Sequence, residues 1–367
     1  MNINFFLQSK DFGGAEQFAL DLIRALSQKK QTLTIYTSNA QLISKIRQNQ
    51  YLEIKMLPIY LDFAGNWRGL LKSLFLSPYA IFAYLKLFQQ LKQKTDRQII
   101  LYSGFSEKIL PGALANYYKL PVYFIEYGPL EPIFKKLASI PSLLYLLNKN
   151  CAQKIIAPSR HTQLALSKFF PKERLSLIPC GSKAIKLKKT NIQTHLISVV
   201  SRLEKGKGQD LLIKAFPLIK NAFPDAQLQI IGQGNFEQEL QMMANHDPQI
   251  KFLNFIQNKQ AILLKSEIIV CPSVWPLEGF GLTIIEAMAL AKPIVAFNRS
   301  PGNELLIDSH NALLAKDGDH QDLARKIIQL LSDQALQKKL ASQARQDFLQ
   351  HFQISQIADQ YLRLLQN

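Results

Sequence analysis

The sequence predicts an α/β protein of two domains, each built on a doubly wound parallel β-sheet. Short apolar runs of strand length alternate with segments whose apolar residues recur at helical spacing. Such alternation is typical of parallel sheets covered by helices on both faces. The chain has 367 residues, more than one ordinary domain, and 47% of them are hydrophobic, so each domain can bury a core.

The strands and helices are predicted segment by segment along the chain. In the N-terminal half the predicted strands are 3–7, 33–36, 98–103, 122–127, 154–158 and 175–179, with helices at 15–28 and 109–118. Residues 181–194 are polar, lack periodicity and are interpreted as a linker. Beyond them the predicted strands are 195–201, 227–231, 250–255, 268–271 and 294–297, with helices at 210–220, 236–244, 259–264 and 281–290. The predicted domains are therefore residues 1–182 and 190–345.

Residues 58–94 interrupt this alternation with a dense mixture of aromatic and basic side chains. One interpretation is that they form one or two amphipathic helices that pack on the sheet. The other is that they form a surface that lies on an anionic membrane. The most apolar part, residues 73–85, contains Pro78 and is shorter than a membrane span, so no transmembrane segment is expected.

The net charge of +17 is concentrated in the first half of the chain. Residues 1–185 hold 24 Lys and Arg against 10 Asp and Glu, an excess of 14 positive charges. Such asymmetry favours an anionic partner for this half, which could be nucleic acid, anionic lipid or a phosphorylated acceptor.

The cysteines, histidines and N-terminal residues argue against a metal site and against secretion. Three cysteines without a Cys-x-x-Cys pair and six histidines without ligand spacing predict neither a disulfide framework nor a metal centre. The first residues lack the basic and then apolar order of a signal peptide. We therefore expect a cytoplasmic protein with no metal ion.

The most specific motif is the segment 272–295, PSVWPLEGFGLTIIEAMALAKPIV. It places Glu278 and Gly281 in a loop after a strand, and Glu286 in the helix that follows. In open α/β sheets, ligands bind in the crevice beyond the carboxyl ends of the strands. If both glutamates lay on one helix, this spacing would separate their carboxylates by roughly 12 Å. The two catalytic carboxylates of a glycosidase lie closer together, at about 5–9.5 Å. The spacing favours contacts to hydroxyls at two ends of one extended ligand.

A second motif, VVSRLEKGKGQDLLIKAF at 199–216, places Arg202 and Lys207 in a glycine-containing loop between a strand and a helix. Taken alone, this segment is typical of a solvated basic loop. In the same domain as Glu278 and at a strand end, two fixed cations can instead bind a diphosphate and stabilise its charge as a leaving group. We therefore predict that both cations lie at the ligand site.

Two further glycine turns follow predicted strands. Gly13 and Gly14, between the first strand and the first helix, permit the backbone to approach a phosphate or a sugar closely. A tight strand–helix turn also needs glycine for its own geometry, so the turn is equally explained without a ligand. The segment IIGQGNFEQEL, which contains Gly232, is a weaker signal of the same kind.

Together these motifs resemble the large retaining glycosyltransferase family 4, which has the GT-B fold of two facing Rossmann-like domains. The matching segments are GGAE (13–16), APSRHT (157–162), LSLIPCG (175–181), SRLEKGKG (201–208), IIGQG (230–234), CPSVWPLEGFGLTIIEAMALAKPIVA (271–296) and NALLAKDGD (311–319). The resemblance implies an acceptor-binding domain at 1–182 and a nucleotide-sugar-binding domain at 190–345. It also implies a C-terminal helix within 346–367 that crosses back to the first domain.

The resemblance implies a role for each matching residue. Arg202 and Lys207 would bind the donor diphosphate, and Glu278 would contact the hydroxyls of the transferred sugar. The other donor-binding residues would be Gly13, Gly14, Gly232, Phe280, Gly281, Leu282 and Glu286. A nucleotide-diphosphate sugar would serve as co-substrate, without a cofactor or a metal ion.

One departure from the family pattern concerns the first domain. Many relatives carry a His near the end of a central N-terminal strand, close to the sugar. Here that stretch is PVYFIEYGPLEP, and Glu126 or Tyr127 stands at the corresponding place. No catalytic residue of the first domain is therefore assigned.

The expected function is a retaining glycosyltransferase that moves a hexose-type sugar to a lipid-linked, lipopolysaccharide or other cell-envelope glycan. Residues 58–94 would bring the enzyme to the inner face of a membrane as a peripheral protein. The alternative from another class is a non-catalytic protein of the same fold that binds an anion or a nucleic acid. The sequence shows no helix-turn-helix, zinc or stacking signature in support of that alternative.

Overall fold

The computed structural model describes every residue except 10, 11, 47, 48, 58, 188–190, 255–258 and 367, and does not describe the side chains of residues 40 and 41. The chain forms two compact units. Unit 1 consists of Met1–Cys180 together with Ile354–Asn367, and unit 2 of Gly181–Gln353. Residues 346–353, which the sequence groups with the C-terminal helix, lie in unit 2 because the preceding helix, Gln334–His351, continues through most of them.

Unit 1 is built on a seven-stranded parallel sheet in the order β3-β2-β1-β4-β5-β6-β7. Its strands are β1 (Asn2–Phe6), β2 (Thr32–Thr37), β3 (Leu52–Met56), β4 (Gln98–Tyr102), β5 (Val122–Ile125), β6 (Lys154–Ala157) and β7 (Leu175–Leu177). Its first seven helices are α1 (Gly14–Gln28), α2 (Ala40–Lys45), α3 (Trp67–Lys92), α4 (Leu110–Tyr117), α5 (Glu131–Phe134), α6 (Ile140–Leu147) and α7 (Arg160–Leu166). The central strands β1, β4 and β5 are buried along their whole length, as expected for strands covered on both faces.

The segment that interrupts the sequence alternation is the single helix α3. It begins after Asn66, whose side chain accepts a hydrogen bond from the amide of Gly69, and it continues through Pro78. The sequence analysis took only residues 73–85 as the apolar stretch and judged it too short to span a membrane, but the helix is twice as long. α3 has 26 residues, and its most apolar 18-residue window has a mean hydropathy of 1.3, so by length and composition the helix could cross a membrane. The helix persists through Pro78 because its inner face packs into the core of unit 1, through Leu70, Tyr84 and Phe88 among others.

Unit 2 is built on a six-stranded parallel sheet in the order β10-β9-β8-β11-β12-β13. Its strands are β8 (Leu196–Val200), β9 (Gln227–Ile231), β10 (Ile250–Leu253), β11 (Ile268–Cys271), β12 (Ile294–Phe297) and β13 (Leu313–Ala315). Its helices are α8 (Gln209–Ala222), α9 (Glu237–Met243), α10 (Lys259–Lys265), α11 (Leu282–Ala289), α12 (His320–Ser332) and α13 (Gln334–His351). Each predicted strand and helix of this unit is present within two residues of its predicted start. Phe255, at the end of a predicted strand, lies outside the described residues.

The last helix, α14 (Ile354–Gln366), packs on α1 in unit 1. The ring of Tyr361 lies 6.4 Å from that of Phe18, and Lys29 forms an ion pair of 2.8 Å with Asp359. The apolar face of α14 is buried, including Ile357 and Leu365 at 0% exposure. The end of the chain is therefore part of the core of unit 1.

Candidate active site in unit 2

The candidate site lies where the order of the strands in unit 2 reverses. From β8 the sheet continues through β9 and β10 on one side, and from β11 through β12 and β13 on the other. The loops that leave the carboxyl ends of β8 and β11 therefore run in opposite directions and open a crevice between them. These two loops are residues 201–208 and 272–281, the two segments that the sequence motifs single out.

The two loops meet in an ion pair between Lys207 and Glu278. The Lys207 Nζ lies 2.7 Å from Oε2 of Glu278, and the hydroxyl of Ser273 donates to the same oxygen at 3.1 Å. The ammonium also lies 5.2 Å from the centroid of the Trp275 ring. The Lys207 side chain is 11% exposed and that of Glu278 is 27% exposed, so the pair faces solvent on one side only.

A second ion pair in unit 2 joins Glu286 to Lys259. Glu286 lies on α11, and Lys259 is the first residue of α10; its Nζ is 2.7 Å from both carboxylate oxygens. Burial, together with the Glu278 and Glu286 carboxylates, raises the pKa of the Cys271 thiol at the end of β11 to about 12. The carboxylates of both glutamates therefore lie close enough to the end of β11 to influence the Cys271 thiol. The sequence analysis missed Lys259, whose only signal is its position at a predicted helix start after a strand of the same sheet.

Arg202 lies in the same loop as Lys207 but in a different environment. Its guanidinium donates to Glu204 at 2.7 Å, and its side chain is 64% exposed. The loop is fixed on its inner side by Gln209, whose amide donates to the Ser201 hydroxyl at 2.6 Å and to the Arg202 carbonyl at 2.9 Å. Among the described residues, Lys207 therefore contacts Glu278, whereas Arg202 contacts Glu204 of its own loop.

Glycines allow the backbones of these loops to come close together. Gly208, the residue before α8, has φ +80°, and a Cβ there would lie 1.8 Å from the carbonyl oxygen of Pro272. Gly281, before α11, has φ +103° and places Leu282 at the first helical position, where amides have no intrahelical acceptor. Gly232 follows β9, and a Cβ on it would lie 1.9 Å from the Ser201 carbonyl oxygen. The side chain of the remaining motif residue, Phe280, is buried.

The predicted glycine turn of unit 1 forms the start of α1. Gly13 is the residue before the helix and Gly14 is its first residue. The Gly13 amide donates to the carboxylate of Glu16 at 2.9 Å, as in a capping box. The turn therefore has a local structural role, and its predicted contact with phosphate stays a prediction.

Glu126 and Tyr127, which stand where relatives carry a His, are both engaged within unit 1. Glu126 is buried, forms a 2.8 Å ion pair with Lys108 and accepts a hydrogen bond from Tyr145. The Tyr127 hydroxyl is 2.9 Å from that of Ser103, and burial raises its pKa well above its usual value. This geometry favours a structural role for both.

Glu107 is a buried acid that the sequence analysis did not single out. Its carboxylate accepts hydrogen bonds from the amides of Gln8 and Gly104, in the loops after β1 and β4. These are the two strands between which the order of the unit 1 sheet reverses. Burial is the largest influence on this carboxyl and raises its pKa to about 7.

Within the described part of the chain, no group of three or more His, Cys, Asp and Glu side chains is placed to hold a metal ion. The predicted independence from metal ions stays a prediction.

Comparison with known proteins supports the interpretation of unit 2. Residues 183–347 match the family model described as Glycosyl transferases group 1. The chain is 34% identical over 148 residues to the GDP-mannose-dependent monoacylated alpha-(1-6)-phosphatidylinositol monomannoside mannosyltransferase of Corynebacterium glutamicum, covering 38% of this chain and 39% of the relative. It is 27% identical over 202 residues to the GalNAc-alpha-(1->4)-GalNAc-alpha-(1->3)-diNAcBac-PP-undecaprenol alpha-1,4-N-acetyl-D-galactosaminyltransferase of Campylobacter jejuni, covering 54% and 55%. The chain therefore spans less than two thirds of the length of these curated relatives.

Solved structures establish the fold class over the whole chain. The crystal structure of HepE from Anabaena, in complex with UDP and glucose, superposes with a TM-score of 0.80 at 20% identity, and covers 100% of this chain and 99% of that one. Two Rossmann-like parallel-sheet domains of the GT-B fold are thus confirmed.

Proposed function

We propose that the protein is a glycosyltransferase that moves a sugar from a nucleoside diphosphate to an acceptor hydroxyl. The observation that carries this proposal is the contact between Lys207 and Glu278 at the strand reversal of unit 2. It puts one cation and one carboxylate side by side in the crevice where open α/β sheets bind ligands.

The charges of this pair match the two parts of a nucleotide sugar. On binding, the diphosphate replaces Glu278 as the partner of Lys207, and Arg202 supplies further positive charge from the same loop. Glu278 then accepts hydrogen bonds from hydroxyls of the sugar. In the same way, Glu286 exchanges Lys259 for the hydroxyls of the ribose.

The reaction follows from these contacts. The bond between the anomeric carbon and the diphosphate oxygen breaks, and the acceptor oxygen forms a new bond to that carbon. In the retaining course that we propose, the acceptor proton passes to a donor phosphate oxygen on the same face. Lys207 and Arg202 stabilise the negative charge that collects on the departing diphosphate.

The names of the relatives support a lipid-linked acceptor. The Corynebacterium relative is named for a phosphatidylinositol mannoside and the Campylobacter relative for an undecaprenol diphosphate glycan. HepE was crystallised with UDP and glucose, whereas the former relative is named as GDP-mannose-dependent. The proposed donor is therefore a UDP- or GDP-hexose and the proposed acceptor a cell-envelope glycolipid.

The test combines donor binding with turnover. We expect one of UDP-glucose, UDP-N-acetylglucosamine or GDP-mannose to raise the melting temperature, since a ligand at about 100 times its Kd stabilises the folded state by about 2.7 kcal/mol. Lys207→Met and Glu278→Gln should each abolish release of the nucleoside diphosphate in the presence of a polyprenol-linked glycan. Lys205→Met, in the same loop but 74% exposed, is the matched control.

Two results would contradict the proposal. If no nucleotide sugar shifts the melting temperature, unit 2 does not bind a donor. If a nucleotide sugar binds through Lys207 but is never consumed with any acceptor extract, the protein is a non-catalytic binder of nucleotides.

A further inference from the structure

The helix α3 presents two faces of different character. Its inner face, which includes Leu70, Ala80 and Phe88, belongs to the core of unit 1. Its outer face carries large apolar side chains in solvent, and Phe75 is 84% exposed and Phe82 69% exposed. The other large apolar side chains of this outer face are Trp67, Leu71, Leu74 and Tyr79.

These side chains form one continuous stripe. Their positions are three or four residues apart, the spacing that places side chains above one another on a helix. From Trp67 to Phe82 the stripe runs for roughly 22 Å along the helix axis. Single exposed apolar residues are normal on a protein surface, but a contiguous patch of this kind marks an interaction site.

The charges beside the stripe identify its occupant. Between residues 67 and 92 the sequence contains no Asp or Glu, while Arg68, Lys72 and Lys86 lie exposed next to the apolar side chains. Trp and Tyr, with an apolar body and a polar edge, are also suited to the boundary between hydrocarbon and water. Apolar and aromatic residues rimmed by cations are the features of a helix that lies in the interface of a membrane containing anionic lipid.

The packing of α3 determines how it meets the membrane. Its length and composition would suit a membrane span, and only 22% of its most apolar window is buried, so α3 is not an ordinary core helix. The inner face is held against the sheet of unit 1, where the rings of Tyr84 and Phe88 lie 6.4 Å and 6.1 Å from the ring of Phe6 on β1. A spanning orientation would remove these side chains from the core. A helix lying in the plane of the interface keeps the core and covers the stripe.

We propose that the outer face of α3 docks unit 1 onto a bilayer rich in anionic lipid. Because the surface is defined by α3 alone, this proposal stands without the proposed function, to which it adds a way of reaching a membrane-bound acceptor.

The experiment is flotation of the full chain with vesicles, in the absence of donor and acceptor. The vesicles consist of phosphatidylcholine, with or without phosphatidylglycerol. We expect binding only with phosphatidylglycerol. Phe75→Ser should weaken it by about tenfold, and Arg68→Gln and Lys72→Gln by about fivefold each. Leu71→Ser and Leu164→Ser are matched, because these leucines are 62% and 69% exposed on different helices, and only the first should weaken binding.

A spectroscopic readout places the helix directly. Trp67 and Trp275 are the two tryptophans of the chain, so in a Trp275→Phe background the emission reports on α3 alone. We expect a blue shift of Trp67 on addition of anionic vesicles and none with phosphatidylcholine alone.

Several outcomes would overturn the proposal. They are equal binding to both kinds of vesicle, binding that Phe75→Ser leaves unchanged, and a dimer in solution that Phe75→Ser dissociates, since the stripe would then join two copies. Transfer to a water-soluble acceptor without vesicle binding would refute membrane docking alone. Vesicle binding without transfer would refute the proposed function alone.

Discussion

Replacing Gly208 by Ala tests whether the two loops of the candidate site depend on close backbone contact. Gly208 joins the loop after β8 to α8, and Pro272 is the first residue after β11. A Cβ on Gly208 would lie 1.8 Å from the Pro272 carbonyl oxygen and 2.6 Å from its carbonyl carbon. Real Cβ contacts essentially never fall below 3.0 Å, so the loops must separate by more than 1 Å. We expect that movement to draw Lys207 away from Glu278 as well.

The loss of stability caused by Gly208→Ala has two parts, and the same substitution at a second glycine, Gly318, measures one of them alone. A non-glycine residue in the left-handed region costs about 1–2 kcal/mol, and Gly318 at φ +71° shares this cost with Gly208 at φ +80°. A Cβ on Gly318 meets nothing within 4 Å, so Gly318→Ala carries only the backbone cost. Gly208→Ala adds overpacking of about 1–3 kcal/mol, which gives roughly 2–5 kcal/mol in all.

The assay is urea unfolding followed by the fluorescence of Trp275 in a Trp67→Phe background, which reports on unit 2. We expect Gly208→Ala to destabilise unit 2 by at least about 1 kcal/mol more than Gly318→Ala. It should also weaken the binding of a nucleotide sugar, which Gly318→Ala leaves unchanged. Equal losses of stability in the two variants would refute the argument that the loops are held by backbone contact.

Two further predictions concern buried charges of unit 1, and both are measured by unfolding in urea with Trp67 emission in the Trp275→Phe background. Lys108→Met removes the ammonium that pairs with Glu126, so we expect the free energy of unfolding to fall by about 3–5 kcal/mol. Adding Glu126→Leu to the same chain should restore a large part of this loss. If the losses of the two single variants simply add, the reasoning is wrong. The Glu107 pKa of about 7 lies above its ordinary value of 4.5, so the folded state binds this proton more tightly than the unfolded chain does. Its contribution to stability is therefore full below the ordinary pKa and falls as pH rises through about 7, by about 3 kcal/mol. Glu107→Gln should remove this fall, and an unchanged pH profile would refute the assignment.

Five of the six strands of unit 2 were predictable as short, largely apolar runs, and β8, β9 and β11 are each followed by a loop that contains glycine. The sixth strand, β13, was not predicted. The ten residues PSVWPLEGFG, for example, connect the end of β11 to the start of α11. Local sequence is sufficient there, since the turn and the helix start depend on adjacent residues. In unit 1 the same reasoning missed β3, where Glu53 and Lys55 on an edge strand break the apolar run. It also took Pro78 as an interruption of α3, because the packing that supports the helix comes from distant strands.

The partners of the site residues could not be predicted in the same way. Lys207 and Glu278 are 71 residues apart, and Lys259 and Glu286 are 27 apart. Their contacts follow from the strand order, which no local pattern specifies. The motifs do indicate that the residues lie at carboxyl ends of parallel strands, and hence at one edge of a sheet. Which cation meets which carboxylate depends on the position of the reversal between β8 and β11.

The pairing of Lys207 with Glu278 also bears on which ligands the site can accept. A free diphosphate can take the place of Glu278 beside Lys207, but it leaves the carboxylate without its cation in a half-buried place. A free sugar can offer hydroxyls to Glu278, but it leaves the ammonium without an anion. Leaving either charge unpaired is costly when it is partly buried. A molecule that carries a diphosphate and hydroxyls together satisfies both groups at once, so we expect the proposed donor, an intact nucleotide sugar, to bind more tightly than either of its parts.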